Sequence, residues 1–350
     1  MNNELKGIFA LFADEEPASC EVISTGRNEN DFRETVIVTA VSGNKLVLKL
    51  ADNAFTFPGR IKMWQRAVNE YRALGCYCPQ ICTDKSGEFP AVTYKGHRCT
   101  VYAEEYSLFS PAEVRGADQT DCAEDKAFMR EAWLLTARTA AKHLDFTEYP
   151  SVYCLYDTFC SDDETDEVLE NALEWKRLAD ECALPERLKE QADRIWQLWL
   201  KNREALEPVY RRLPASVFQA DLNPTNVLID GDRNFKGLID FNLCGREAFL
   251  NYIFREINDS DPAAELNKLR DTLSLISEVY EFSELEKSSA LMLYRCVKPL
   301  YRPGRLKNAA GDEAKTAKLL DETEHYLTAD TDFASFMSKN NGKSRIVNTL

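Results

Sequence analysis

The stretch "VFQADLNPTNVLID", residues 217–230, is mostly apolar but places Asp221 and Asn226 five positions apart. A buried carboxylate or amide without partners costs free energy, so a strand core does not explain them. The runs "NVLID" and "FKGLIDF" flank the turn residues "GDRN" and predict a β-hairpin whose second strand ends at Asp240. Antiparallel pairing brings Asn226 near Asp240, with Asp221 on the loop leading in. Their oxygens suit Mg²⁺, so we predict a site for a metal or a hydroxyl group.

Lys49 and Glu70 form a second candidate pair. Lys49 lies in "LVLKL", where the alternate residues are apolar, and Glu70 lies on the helix predicted to follow. A lysine in such a strand costs free energy unless it is paired, and a glutamate on an adjacent helix is a natural partner. Either residue alone could be an ordinary surface residue. Together they predict an ion pair that holds a cation toward the phosphates of a nucleotide.

Two regions of different character must position these side chains. The runs "CEVIST", "ETVIVTAVS" and "KLVLKLA" predict consecutive antiparallel strands, and "FPAVTY" and "RCTVYAEEY" predict a hairpin turning at Lys95-Gly96. Between them, "PGRIKMWQRAVNEYRALG" has the apolar spacing, early proline and final glycine of a helix. From about Ser110 long amphipathic helices dominate, interrupted by the hairpin.

Composition limits the classes of function. The chain has 350 residues and a formal net charge of −15, which argues against a nucleic-acid partner. Such a charge is compatible with a cationic small substrate, and also with solubility alone. No apolar run approaches the roughly 20 residues that span a bilayer, so we expect no membrane partner and a cytoplasmic location.

The cysteines also fit the expected cytoplasmic location. The eleven cysteines are scattered, and no paired C-x-x-C motifs accompany the three histidines, so we expect free thiols and neither disulfides nor a zinc site.

The order of these motifs resembles the protein-kinase-like fold, and within it the aminoglycoside phosphotransferase and choline kinase families. "FQADLNPTNVLIDGDRNFKGLIDFN" is similar to the H-G-D-x-x-x-x-N motif of those families, followed by an apolar residue, Asp and Phe. The resemblance extends from about Cys20 to Tyr301. It implies an α+β protein with two lobes: an antiparallel sheet with one main helix, and a mostly helical lobe containing the catalytic hairpin. We expect the lobes at 1–106 and 107–338, and a tail at 339–350.

The resemblance also implies a role for each candidate residue. Asp221 matches the catalytic aspartate that orients the acceptor hydroxyl and can take its proton. Asn226 and Asp240 match the metal ligands. Lys49 matches the lysine on the α/β-phosphates, and Glu70 matches its ion-pair partner. Gly26 matches the phosphate loop, and the hinge that meets the adenine edge is matched by Glu104, Glu105 and Tyr106. ATP and Mg²⁺ are the implied cofactors, with GTP as an alternative donor.

Three departures from the family pattern concern Gln219, Ala220 and the phosphate loop. Gln219 stands where the family usually has histidine; it cannot titrate, so we interpret it as a structural substitute. Ala220 replaces a common glycine, and the phosphate loop has a single glycine where protein kinases have three.

The predicted function is transfer of the γ-phosphoryl of ATP to a hydroxyl of a small acceptor. Aminoglycosides, amino alcohols and sugars all fit, and nothing in the sequence indicates an oligomeric state. The alternative, motivated by Gln219 and the glycine-poor loop, is a nucleotide-binding pseudokinase with a regulatory or scaffolding role.

Overall fold

An antiparallel sheet occupies the N-terminal part of the chain. The structure, a computed structural model, describes residues 2–26, 31–113, 127–142 and 145–338. The strands of this sheet are β1 (Pro17–Ser24), β2 (Phe32–Ala40), β3 (Lys45–Asp52), β4 (Ile81–Cys82), β5 (Ala91–Tyr94) and β6 (His97–Glu105). Their order is β1-β2-β3-β6-β4, and β5 pairs with the first half of β6. The β5–β6 turn places Lys95 and Gly96 at positive φ, which confirms the predicted hairpin.

One helix covers each face of this sheet. Helix α1 (Asn3–Phe12) packs with the face that carries Leu48 and Leu50. Helix α2 (Pro58–Ala73) has proline in its first turn and is followed by Gly75 at φ +83, as the sequence predicts. Since side chains alternate along a strand, Lys49 points to the face opposite Leu48 and Leu50, which is the α2 face.

The chain that follows the sheet is mostly helical. Its helices are α3 (Ala127–Ala140), α4 (Glu167–Glu181), α5 (Glu186–Tyr210), α6 (Phe249–Glu256), α7 (Pro262–Ile276), α8 (Glu284–Val297), α9 (Gly304–Ala309), α10 (Glu313–Thr328) and α11 (Phe333–Phe336). Its short strands are β7 (Ser110–Pro111), β8 (Ala215–Ser216), β9 (Val227–Ile229), β10 (Phe235–Leu238) and β11 (Glu247–Ala248). One apolar core runs from α2 through these helices. The predicted tail, 339–350, lies outside the described residues.

The predicted hairpin is formed by β9 and β10, and the chain near Tyr77 crosses it. The Tyr77 amide donates to the Lys236 carbonyl over 3.0 Å, and the Leu238 amide donates to the Tyr77 carbonyl over 3.1 Å. A Cβ atom placed on Gly237 would lie 1.6 Å from the Tyr77 carbonyl oxygen. Only glycine therefore permits this crossing, three residues before Asp240.

Two further expectations concern membranes and thiols. Within the part of the chain that the structure describes, no helix combines the length and apolarity that crossing a bilayer requires. The ten cysteines in the described ranges are free thiols, as predicted.

The crossing at Gly237 yields a test of stability. We expect Gly237→Ala to lower the free energy of unfolding by about 1–3 kcal/mol, because the added methyl group meets backbone that cannot rotate away. Gly231→Ala is the matched control on the same hairpin, since a Cβ there meets nothing within 4 Å. Urea unfolding of both variants measures the difference. Equal midpoints for Gly237→Ala and the parent would contradict this packing.

Candidate active site

Asp221 is held by the amides of its own loop. The Asn226 Nδ2 donates to an Asp221 carboxylate oxygen over 2.9 Å and to the Asp221 carbonyl over 3.0 Å. The Asn223 amide donates to the other carboxylate oxygen. These bonds fix the direction of the carboxylate, and Asn226 uses only its NH₂ group for them.

Gln219 joins this loop to the end of the hairpin. Its buried side chain donates to the carbonyls of Asp221, Ile239 and Asp240, at 3.0, 3.1 and 3.1 Å, and accepts from the Asp221 amide over 2.6 Å. A neutral amide can make these contacts because its oxygen accepts one hydrogen bond and its NH₂ group has two hydrogens, one of which is shared between two carbonyls. This geometry agrees with the interpretation of Gln219 as a structural residue.

Asp240 follows β10 in an unusual backbone conformation. Its φ is +61, in the left-handed region that side-chain-bearing residues seldom occupy. The Asp240 carbonyl is fixed by Gln219, so the strained residue is supported by its surroundings. The conformation directs its side chain into the cleft between the sheet and the helices.

One cavity collects most of the predicted residues. It has a volume of about 590 Å³ and is lined by Gly26, Lys49, Asp221, Asn226 and Asp240, together with β-strand residues of the sheet. Such a volume lies in the range of small-molecule sites. The structure thus brings together a cation and three oxygen-bearing side chains that lie far apart in the sequence.

Two of these side chains fit a divalent cation. Neither the Asp240 carboxylate nor the Asn226 side-chain oxygen accepts a hydrogen bond from any residue that the structure describes. A carboxylate and an amide oxygen are enough for Mg²⁺, which retains waters and also takes ligands from substrate phosphates. Within the described ranges, no three or more His, Cys, Asp or Glu side chains lie close enough together to hold a metal ion by themselves.

The predicted Lys49–Glu70 ion pair is wrong for this structure. Lys49 Nζ lies 3.9 Å from the Glu104 carboxylate, whereas Glu70 accepts from Lys142 at 2.8 Å. The reason is the rotation of α2, which turns Trp64 toward the sheet: its ring lies 6.1 Å from that of Tyr102, the cross-strand partner of Lys49. Glu70 faces α3.

Charges around Lys49 alter its pKa. Burial lowers the pKa of Lys49, but the carboxylates of Glu104 and Asp240 outweigh this effect and raise it above its ordinary value. Burial raises the pKa of Glu104, against the opposing effect of Lys49. Lys49 therefore stays charged in the cavity.

The three residues predicted to form the hinge, Glu104, Glu105 and Tyr106, lie at the end of β6 and directly after it. Glu104 pairs with Val47 of β3 on one side and with Ile81 of β4 on the other, so its peptide groups face strands. The Glu105 amide donates to the Gln80 carbonyl. Tyr106 follows the last paired residue, and its backbone makes no turn or loop hydrogen bond with the described residues. It is the first hinge position whose peptide group can meet a base.

Gly26 lies close to the returning chain. A Cβ atom there would lie 2.2 Å from the Asp31 carbonyl oxygen, so a side chain does not fit. Gly26 is the residue that the resemblance assigns to the phosphate loop.

A second cavity, of about 470 Å³, adjoins the first, and Arg33, Phe55 and Leu243 line both. Among the described residues, seven carboxylates line it, from Asp31, Asp157, Asp162, Asp163, Asp166, Glu167 and Glu170. Arginines pair with four of these: Arg33 with Asp31, Arg246 with Asp157, Arg203 with Asp166 and Arg255 with Glu167. Asp162, Asp163 and Glu170 have no ion pair within the described ranges. This acidic cavity therefore carries a surplus of negative charge.

Glu256 was not identified from the sequence. It ends α6, one turn after Tyr252, whose hydroxyl accepts from the Leu222 amide next to Asp221. Burial and the charge of Asp221 raise the pKa of Glu256 to about 7. Its neighbour Arg255 pairs with Glu167 of the acidic cavity. No local motif marks Glu256, because only the packing of α6 brings it near the catalytic loop.

A comparison of the amino-acid sequence with known families identifies the family of this chain. A model of the phosphotransferase enzyme family matches residues 23–249, about two thirds of the chain. The chain belongs to this family. The match includes Gly26, Lys49, Asp221, Asn226 and Asp240. No curated protein sequence shows a significant match.

Solved structures confirm the predicted fold. A microcompartment-associated aminopropanol kinase is 13% identical, with a TM-score of 0.56 and coverage of 92% of this chain and 94% of that chain. An amicoumacin kinase in complex with AMP-PNP and Ca²⁺ is also 13% identical, with a TM-score of 0.52 and coverage of 93% of both chains. At this identity the likeness concerns the fold. Membership of the family establishes a phosphotransferase with an alcohol group as acceptor, and the solved structures confirm its fold.

The two metal-facing oxygens yield a prediction. We expect Asp240→Ala to abolish most of the Mg²⁺-dependent gain in nucleotide affinity, because it removes the only carboxylate of the pair. Isothermal titrations of ADP with and without Mg²⁺ measure that gain in the variant and the parent. Asp232→Ala, in the exposed turn of the same hairpin, is the control. An unchanged Mg²⁺ dependence in Asp240→Ala would contradict the assignment.

Proposed function

We propose that this protein transfers the γ-phosphoryl group of ATP, with Mg²⁺, to a hydroxyl of a small cationic acceptor. The observation that carries this proposal is the cavity of about 590 Å³ into which Lys49, Asp221, Asn226 and Asp240 converge. Phosphoryl transfer requires mainly positioning and charge stabilisation, and this set of residues supplies both.

Each residue has a separate role in this proposal. Lys49 would neutralise the α/β-phosphates, and Asn226 and Asp240 would hold Mg²⁺, which would neutralise charge on the transferred group. Gly26 allows the loop above the phosphates to approach closely, and the Tyr106 backbone meets the base. Asp221 orients the acceptor hydroxyl and takes its proton. Its orientation is already fixed by Asn223 and Asn226, so little reorganisation is needed on binding.

The acidic cavity supports a cationic acceptor. It shares a wall with the nucleotide cavity, and its surplus carboxylates lie on the side of α4. Arg255 of α6 pairs with Glu167 on this wall, and the next residue of α6, Glu256, lies near Asp221. An acceptor with an ammonium group can therefore place its charge among carboxylates while its hydroxyl reaches Asp221. Electrostatic complementarity of this kind contributes mainly specificity and encounter rate.

Two further expectations remain proposals. We place the boundary between the nucleotide-binding lobe and the helical lobe at residue 106, where the sheet ends. We propose a cytoplasmic location, because free thiols are typical of reducing compartments and the cytoplasm supplies ATP.

A phosphotransfer screen tests the proposed function. The panel contains amino alcohols, aminoglycosides and uncharged sugars of similar size, with Mg²⁺-ATP as donor and Mg²⁺-GTP in parallel. ADP release and the mass of the acceptor report transfer. We expect turnover with a hydroxyl-bearing cation and little with its neutral analogue. Turnover of neutral acceptors alone would contradict the cationic acceptor, and tight Mg²⁺-ATP binding without any turnover would favour the pseudokinase.

Asp221→Asn should separate binding from turnover. The substitution keeps the size and removes the carboxylate that accepts the proton, a role worth roughly 10²–10⁴-fold in rate. We expect the loss in kcat, with little change in the KM for ATP, because Lys49, Asn226 and Asp240 are unchanged. Single-turnover rates with the identified acceptor measure this. Asp232→Asn makes the same chemical change in the exposed hairpin turn and should retain the parent rate; near-parent turnover in Asp221→Asn would refute the catalytic role.

Glu256→Gln tests the acceptor side. At pH 8 we expect the KM for a cationic acceptor to rise about tenfold, the loss of one charge-assisted contact, with the KM for ATP unchanged. Because the pKa of Glu256 is raised to about 7, its carboxyl is neutral at lower pH, so the difference between parent and variant should vanish as the pH falls through 7.

Glu278→Gln, an exposed glutamate paired with Arg130, is the matched control. An equal rise in KM for cationic and neutral acceptors would show that Glu256 serves only the local structure.

A further inference from the structure

We infer that Glu104, on the central strand β6, is the positioning residue that holds Lys49 toward the nucleotide, in place of a glutamate from α2. The inference rests on the proposed nucleotide role of Lys49. Lys49 Nζ lies 3.9 Å from the Glu104 carboxylate, and the two side chains are only 24% and 18% exposed. A charge pair sheltered to this extent is screened less than a surface pair.

Strand register makes the contact a property of the sheet. Lys49 pairs with Tyr102, and Val47 pairs with Glu104, so Lys49 and Glu104 are diagonal neighbours. Because alternate residues share a face, Tyr102 and Glu104 point to the same side as Lys49. Diagonal neighbours across an antiparallel pair are within reach of long side chains. The sheet alone therefore sets this geometry.

Helix α2 cannot supply the carboxylate in this packing. Glu70 is its only acidic residue. Trp64, which lies over Tyr102, is six residues earlier, so Glu70 is displaced by about 120° around the helix axis at 100° per residue. Turning Glu70 toward Lys49 would withdraw Trp64 from Tyr102 and break the Glu70–Lys142 pair.

Asp240 is the other carboxylate near Lys49, and it contributes to the raised pKa of the lysine. Its assigned partner is the metal ion, however, so in the loaded site it would be shared with that ion. Glu104 has no such second role, since its peptide groups pair with β3 and β4, and its only ion pair within the described ranges is with Lys49. Glu104 is therefore the carboxylate that is available to orient the ammonium group of Lys49.

A double-mutant cycle on Mg²⁺-ADP binding tests the inference. Lys49→Met and Glu104→Gln are made singly and together, and titration calorimetry gives the affinities. We expect each single variant to lose about tenfold in affinity, and the double variant to lose little more than Lys49→Met, since coupled residues are non-additive. Parent-like affinity in Glu104→Gln, or losses that multiply in the double variant, would overturn the inference.

Glu70→Gln is the matched control, with the same chemical change on α2. Alone it should bind Mg²⁺-ADP like the parent, and combined with Lys49→Met it should add nothing to the loss. If Lys49→Met itself binds like the parent, the nucleotide assignment of the proposed function fails. If Lys49→Met weakens binding and Glu104→Gln does not, only the present inference fails.

A measurement on the unmutated protein covers the case in which Glu104→Gln does not fold. A crystal structure with Mg²⁺-ADP should show Lys49 Nζ contacting both a phosphate oxygen and the Glu104 carboxylate. Lys49 Nζ on Glu70, with Trp64 displaced from Tyr102, would overturn the inference.

Discussion

The side-chain amide of Gln219 is the contact on which the site depends. It binds the loop that carries Asp221 and the strand end that carries Asp240, through carbonyls on both and the Asp221 amide. Its own backbone amide donates to the Tyr71 hydroxyl of α2, which in turn donates to Thr136 of α3. A buried polar group with every contact satisfied specifies one arrangement. The distance between the Asp221 and Asp240 segments is thereby set by buried hydrogen bonds.

Sequence reasoning predicted the convergence of side chains correctly where that convergence follows from local spacing. Asp221, Asn226 and Asp240 lie on one loop and one hairpin, so their convergence follows from strand pairing over a short segment. The sheet and α2 were predictable for the same reason, since alternation, turn glycines and helix ends are encoded within each element. The Lys49–Glu70 pair failed because it depends on how α2 rotates about its axis. That rotation is decided by the packing of Trp64, Val68 and Tyr71, which are fully buried, and helical periodicity does not reveal which apolar residue faces the lysine.

The acceptor side could not be read from the sequence for a related reason. Its carboxylates come from separate segments: Asp157 and Glu170 line the acidic cavity, Glu256 lies near Asp221, and only tertiary packing places them there. The acidic run at Asp162 and Asp163 looks like a solvated loop in isolation. In the structure it closes one side of a cavity, so its charge acts on whatever occupies that cavity. Part of the net charge of −15 is therefore concentrated at the acidic cavity.

The two halves of the site are held by different means, and this difference limits how they can move. Lys49 and Glu104 belong to adjacent strands of one sheet, so no movement of α2 is needed to position the ammonium group of Lys49. Asp221 and Asp240 belong to a loop and a hairpin joined by Gln219 and crossed by the chain at Tyr77. Each half is held together by its own strand register or hydrogen bonds, and the cavity lies between them. If the sheet moved toward the hairpin, the distance from Lys49 to Asp240 would therefore change. The arrangement of Lys49 with Glu104, and that of Asp221 with Asp240, would stay the same. Closure around a nucleotide is then expected to be a rigid-body movement of preformed parts, because the hydrogen bonds and strand register within each part resist rearrangement.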